Sequence, residues 1–232
     1  MKKFALGAAT AALAITGLTV PTASAVDGPD RIVGGTTATS NPGTVALFVN
    51  GAYNCTATLL DSNSVLTAKH CIGNGSASAL SFRVGSLSKG SGGTIHKASK
   101  VTWHSADLAV ATLATPATGA PTVRLATARP AANETNKIFG WGGTTCAEFP
   151  PSPATLKTAN VRVQSLTSDN YGGIAFKSTG INGTAWKGDS GGPQFNAAGQ
   201  QVGVASTADC YSVQNYTSVP DYRSWITTQA AG

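Results

Sequence analysis

A chain of 232 residues, 41% apolar and only 11% charged, is long enough for one globular unit with a sizeable core or for two small subdomains. Its formal net charge of +6 comes from scattered Lys and Arg with no basic run, which reads as solubility and argues against a nucleic-acid surface. The 27 glycines suit many short strands and tight turns.

Residues 1–25 have the pattern of a secretory signal peptide. Lys2 and Lys3 give a basic start, residues 5–20 form an apolar run, and Ala23-Ser-Ala25 is a small-residue cleavage site. The run is short and stops at Pro21, which argues against a membrane anchor. With no other transmembrane candidate, the expected product is a soluble, secreted, extracellular protein with no membrane partner. Export puts the four cysteines in an oxidising setting, so they read as two disulfides. All three pairings are open on sequence alone.

Residues 26–31 read as a short propeptide. They lead into Arg31-Ile-Val-Gly-Gly35, a basic residue before an apolar pair and two glycines. This has the look of a processing site. Cutting after Arg31 would create an ammonium at Ile32, useful if it reaches a carboxylate inside the fold. Removing residues 1–31 takes away Lys2, Lys3, Arg31, Asp27 and Asp30, leaving thirteen basic and eight acidic residues, a net charge of +5.

Short strand-like runs follow, separated by turn signals. They fall at 45–49, 53–60, 65–68, 81–84, 97–103 and 108–113, with Asn50-Gly51 as a hairpin-type dipeptide. Residues 115–121 have the composition of a linker. A second series falls at 137–141, 156–163, 174–176, 193–195 and 201–205. The only substantial helix is expected at about 219–229, with Pro220 suited to its first turn. Two sets of about six short strands, a linker and a terminal helix make an all-β chain, either two β-barrels or one large sandwich.

One octapeptide stands out, Trp186-Lys-Gly-Asp-Ser-Gly-Gly-Pro193. Its glycines let a substrate backbone come close to Ser190, so Ser190 reads as a presented nucleophile. A serine hydroxyl is a weak nucleophile and needs a base and a base-orienting acid. Three histidines are available. His70 lies beside Cys71, whose nearest cysteine is Cys55. A Cys55–Cys71 bridge would hold His70 at a strand end and contribute roughly 3 kcal/mol. His96, among polar residues, reads as a solvated strand residue, and His104 is ambiguous. Asp107 stands directly before a core-type strand, where a charge needs a partner. Asp61, Glu134, Glu148, Asp169 and Asp221 sit in turn-like contexts and read as solvated. No histidine follows Ser190, which excludes the α/β-hydrolase order. A subtilisin-like order fails because Asp61 reads as a turn residue and the α/β pattern is missing. The order His, Asp, Ser remains.

Taken together, these residues resemble the chymotrypsin-like (trypsin-fold) serine peptidases, in a short bacterial secreted form. The handling of the triad is that family's general template. The resemblance runs from residue 32 to about 229. It rests on Arg31-Ile-Val-Gly-Gly35, Leu66-Thr-Ala-Lys-His-Cys71, Asp107-Leu-Ala-Val110, Phe139-Gly-Trp-Gly142 and Gly188-Asp-Ser-Gly-Gly-Pro193. It implies two packed antiparallel six-stranded β-barrels, at about 32–117 and 120–218, within one peptidase domain over 32–232. It further implies a catalytic triad of His70, Asp107 and Ser190, and an oxyanion hole from the N–H groups of Gly188 and Ser190. Ser206 would support Asp107. Asp189 would pair with the freed Ile32 ammonium.

Departures from the family bear on specificity. Lys69 replaces a small residue and is expected to point to solvent at the cleft rim. Thr184 stands at the base of the substrate pocket where trypsin-like members carry Asp, which argues against Lys or Arg specificity and against self-activation. Trp186 replaces a cysteine, so Cys210 lacks its familiar partner, and Cys146 is the one left for it. Ser206-Thr207-Ala208 replaces Ser-Trp-Gly at the pocket wall, and Gln214 falls where a glycine opens the pocket. These changes lean toward small or medium uncharged P1 residues. Lys187 reads as solvated. The expected partners are protein or peptide substrates, an activating protease and a proteinaceous inhibitor, with the chain a monomer. No motif implies a metal or other cofactor. The competing reading is a catalytically silent binding protein of the same fold, against which the intact His70, Asp107 and Ser190 argue.

Overall fold

The computed structural model describes residues 1–2 and 32–232. The signal peptide, the propeptide and Arg31 fall outside the described residues. The fold is almost entirely antiparallel β. A two-residue strand β1 (Thr36–Thr37) precedes a closed barrel of β2 (Thr44–Val49), β3 (Ala52–Asp61), β4 (Ser64–Thr67), β5 (Leu80–Val84), β6 (Thr94–Trp103) and β7 (Ala109–Leu113). A one-turn helix α1 (Lys69–Ile72) follows β4. After β8 (Arg124–Leu125) come β9 (Thr135–Gly140), β10 (Lys157–Ser168), β11 (Ile174–Gly180), β12 (Pro193–Phe195), β13 (Gln200–Ala208) and β14 (Val213–Ser218). These six run in the order β9-β10-β11-β14-β13-β12. Pairing of β9 with both β10 and β12 closes a second barrel. Strand β1 adds to β10, and β8 adds to β13. Closure removes the free edges that would otherwise invite aggregation. The expected all-β architecture of two six-stranded barrels and a terminal helix is what the chain adopts.

Local chemistry explains the elements. In β5 every second residue points inward, so Leu80, Phe82 and Val84 enter the core while Ser81 and Arg83 stay half-exposed. Asn50 (φ 50°) and Gly51 (φ 80°) form the tight turn between β2 and β3, a conformation that an Asn-Gly pair adopts readily. The helix α2 (Val219–Ala230) starts where Ser218 accepts the Asp221 N–H, with Pro220 and Asp221 in its first turn. Its Val219 and Ile226 are buried in the first-barrel core beside Leu108 and Val204, so the last strands and the helix tie the barrels together.

Two histidine and strand expectations need correction. His96 is buried, not solvated, because its Nδ1 bonds the Thr115 carbonyl oxygen at 2.9 Å. Strand β14 was not foreseen. Its Gln214, Thr217 and Ser218 are polar yet fully buried.

Candidate active site

The site is assembled from chain ends that leave the two barrels. β4 runs into α1, which carries Lys69 and His70 just past the strand, with the Cys55–Cys71 disulfide anchoring the helix to β3. Asp107 lies in the connection from β6 to β7 and is completely buried. A buried carboxylate must be compensated by donors. Asp107 Oδ2 lies 2.7 Å from His70 Nδ1 and accepts the Ser206 hydroxyl at 2.6 Å, while Oδ1 accepts the His70 backbone N–H at 2.9 Å. Such a carboxylate fixes the tautomer with the proton on Nδ1 and leaves Nε2 free as an acceptor.

Ser190 sits in the loop between β11 and β12. Its carbonyl accepts the Thr56 N–H at 2.9 Å, which pins the loop of the second barrel to β3 of the first. Ser190 lines a cleft of about 150 Å³ with Ala185, Trp186, Lys187, Ser206, Thr207 and others. The carbonyl of Lys187 accepts the Gly143 N–H at 2.7 Å. The Lys187–Gly188 peptide is trans, so the Gly188 N–H points the opposite way. Among the described residues neither that N–H nor the Ser190 N–H has an acceptor. The Gly188 carbonyl is held by the Tyr53 hydroxyl at 2.7 Å and the Thr56 hydroxyl at 2.9 Å.

Of the expected pocket residues, Ser206, Thr207 and Ala208 line the cleft, whereas Thr184 and Gln214 are buried beneath it. Gln214 Oε1 accepts the Ala185 N–H at 3.1 Å and the Tyr216 hydroxyl at 3.4 Å, and its Nε2 reaches Thr184 Oγ1 at 3.5 Å. Both of these buried side chains are neutral.

Asp189 and Ile32 are both buried. Asp189 accepts the Gly142 N–H at 2.7 Å and the Trp186 N–H at 2.9 Å. Burial pushes its carboxyl up to about 7 despite these donors and the nearby Lys89 charge. Burial also lowers Lys89 to about 8, with Asp189 acting in the other direction. The Lys89 ammonium sits 4.6 Å from the centre of the Tyr53 ring. Burial, then Asp189, holds the Tyr53 hydroxyl well above its ordinary range.

Cys146 and Cys210 are joined, tying the 144–152 loop to the turn after β13. Trp186 and Lys187 reinforce this link. Trp186 Nε1 donates to Ala147 O at 3.1 Å, and Lys187 Nζ donates to Glu148 O at 2.7 Å, so Lys187 is not simply solvated. Lys69 likewise lies over the Tyr171 ring, 4.4 Å from its centre. The largest correction concerns Asp169. It is buried, and one of its oxygens accepts the backbone N–H of Asp107 at 2.9 Å. The sequence signal was thin, since Asp169-Asn-Tyr-Gly-Gly173 is turn chemistry and gives no hint of what the turn touches. Among the described residues, Cys55, His70 and Cys71 form a cluster of metal-type ligands, but the two cysteines are joined as a disulfide and offer no thiolate.

The family model described as Trypsin matches residues 32–226. Trypsin beta of Drosophila erecta is 32% identical, with 99% of this chain and all of that protein aligned. Trypsin delta of Drosophila melanogaster is also 32% identical over 99% of this chain and its own full length. Serine protease SP24D of Anopheles gambiae is 33% identical over 85% of this chain and 80% of its own. Among solved structures, a scabies mite inactivated protease paralogue superposes with a TM-score of 0.77 at 22% identity, covering 87% of this chain and 98% of its own. Neuropsin, a serine protease of mouse brain, gives 0.70 at 24% identity, covering 82% and 95%.

Proposed function

This chain belongs to the trypsin family and is a serine-type endopeptidase that acts on proteins, and from that premise we propose how its own residues divide the work. Ser190 Oγ attacks the scissile carbonyl and His70 Nε2 takes its proton. Asp107 holds the imidazole and stabilises the imidazolium. The N–H groups of Gly188 and Ser190 receive the developing oxyanion. His70 then protonates the leaving amine, and water repeats the sequence on the acyl-enzyme. Losing one oxyanion donor in such a centre costs about 3 kcal/mol in the barrier. The observation that carries this reading is Asp107, fully buried and bonded to both His70 Nδ1 and Ser206 beside the cleft that Ser190 lines.

The same reading extends to activation and specificity. Cleavage after Arg31 frees the Ile32 ammonium, which pairs with Asp189 and sets the oxyanion loop. A neutral pocket base, with Gln214 over Thr184, favours small or medium uncharged P1 residues. An arginine or lysine would find no carboxylate in the cleft lining. It follows that a separate protease performs the cut at Arg31. The protein is a secreted bacterial monomer that is open to proteinaceous inhibitors, although the curated relatives named above are insect proteins.

The experiment divides protein cleaved at Arg31 into two portions, one treated with an organophosphonate probe and the other used to digest a peptide library. Label on Ser190 and cuts after uncharged residues are expected. Folded, processed protein that takes no label, or that cuts only after Lys and Arg, would overturn the assignment.

A further inference from the structure

The turn between β10 and β11, residues 169–173, reaches from the second barrel onto the histidine side of the site. Three of its residues make separate contacts there. Asp169 splits its carboxylate. Oδ1 accepts the Tyr171 and Gly173 N–H groups at 2.9 and 2.8 Å, which closes the turn on itself. Oδ2 accepts the Asp107 N–H at 2.9 Å and the Thr217 hydroxyl at 3.0 Å. The Asn170 N–H donates to Ser206 Oγ at 3.0 Å, and Ser206 in turn donates to Asp107 Oδ2. Tyr171 lies under the ammonium of Lys69, the residue before His70.

The fit is close. A Cβ at Gly173 would lie 2.4 Å from Ala106 Cβ and 2.5 Å from Asp169 Oδ2, so only glycine lets the turn approach Asp107. Asp107 is therefore gripped at its backbone by Asp169 and at its carboxylate by a serine that Asn170 orients. The first grip comes directly from this turn of the opposite barrel, and the second comes from Ser206 of β13, which the same turn orients. Burying a second carboxylate beside Asp107 is costly unless it is fully hydrogen-bonded, and Asp169 has four donors.

We propose that Asp169 is a positioning residue for peptide hydrolysis. Through the Asp107 N–H it fixes the carboxylate that aligns His70, and so couples the geometry of the first barrel to that of the second. This rests on the assignment of His70, Asp107 and Ser190 as the triad.

Two variants separate positioning from mere turn stability. Asp169→Asn keeps one acceptor oxygen. Placed toward Tyr171 and Gly173, that oxygen preserves both turn bonds. The amide NH₂ then faces Asp107 and Thr217, where the Thr217 hydroxyl can rotate to accept but the Asp107 N–H cannot. Asp169→Ala removes both sides. Each variant, and wild type, is processed at Arg31 and assayed with an uncharged peptide amide, with rates normalised to the fraction of folded protein by near-ultraviolet circular dichroism. The expected result for Asp169→Asn is a fall in kcat on the order of tenfold to a hundredfold at unchanged KM, the scale of an ångström-level misplacement. Asp169→Ala should lose at least as much. A folded Asp169→Asn protein with wild-type kcat would overturn the proposal, even if Asp169→Ala were impaired, because the turn alone would then account for the residue. Ser190→Ala and His70→Ala run alongside. Retained activity in those two would instead overturn the triad on which the proposal stands.

Discussion

In the uncleaved chain the Ile32 nitrogen is a peptide amide and brings no charge to Asp189. Asp189 nevertheless lies buried, with two backbone donors, and burial carries its carboxyl from 3.8 to about 7. The folded chain therefore holds this proton more tightly than the unfolded chain. Between the two values the folded state binds more protons, so stability falls as pH rises from about 4 to about 7 and stays at its lower level above that. The full loss is about 4 kcal/mol. Against a typical total of roughly 5–15 kcal/mol, that is large.

The measurement is urea unfolding of uncleaved protein carrying Ser190→Ala, which blocks turnover, compared with the same protein also carrying Asp189→Asn. The difference between the two removes every titrating group that is not coupled to Asp189, and the coupled Lys89 titrates only at about 8, the upper end of the range. This difference should fall by about 4 kcal/mol between pH ~4 and pH ~8, mostly before pH ~7. On the proposed activation, cutting after Arg31 would deliver an ammonium that favours the carboxylate and brings the Asp189 pKa down, so the slope should shrink or vanish in the cleaved protein. Parallel curves for the two uncleaved proteins across this range would refute the reasoning, because they would mean that Asp189 is as comfortable ionised in the fold as in the open chain. If the slope is present, the uncleaved chain carries a strained carboxylate that the new terminus relieves, and the relief helps drive ordering of the oxyanion loop.

In the cleaved enzyme the Ile32 amine should have a raised pKa. Its contribution is then complete below its free value of about 8 and lost as pH rises through the folded value, giving a reversible alkaline fall in activity. Full activity after selective acetylation of Ile32 would contradict this. Gln214→Gly should widen P1 preference to larger uncharged side chains in a library digest. Adding Thr184→Asp should bring in Lys and Arg by about 10- to 100-fold, the worth of a charged hydrogen bond. Ser206→Ala removes a donor from Asp107 and should lower kcat by a similar factor without altering KM. Replacing Cys146 and Cys210 by Ala opens a link across a sequence separation of 64 and should cost about 4 kcal/mol in denaturant unfolding. A loss below ~1 kcal/mol would show that the bridge does not act chiefly by restricting the unfolded chain.

The contrast between Ser190 and Asp169 shows what could be read from the chain before its fold. Ser190 is flanked by the residues that present it, so its role is written in contiguous letters. The strands were legible for the same reason, since alternation in β5 or the Asn50-Gly51 turn is a property of neighbours. Strand β14 was not, because its inward residues Gln214, Thr217 and Ser218 are polar. Gln214 and Thr217 are satisfied by Ala185 and Asp169, partners that only the fold supplies. His96 misled in the same way, its burial being offset by a carbonyl 19 residues away. Asp169 is the limiting case. Every local cue correctly gave a turn, and the turn is there; its meaning lies in a bond to a residue 62 positions earlier. Ser190 is presented by its sequence neighbours and declares itself, whereas Asp169, Gln214 and His96 are completed by partners distant in sequence and do not. The parts of this centre that remain to be found by mutation should therefore be sought among polar groups that bridge the barrels, such as the half-buried Tyr53 and the buried Thr56, whose hydroxyls both donate to the Gly188 carbonyl, before any further motif.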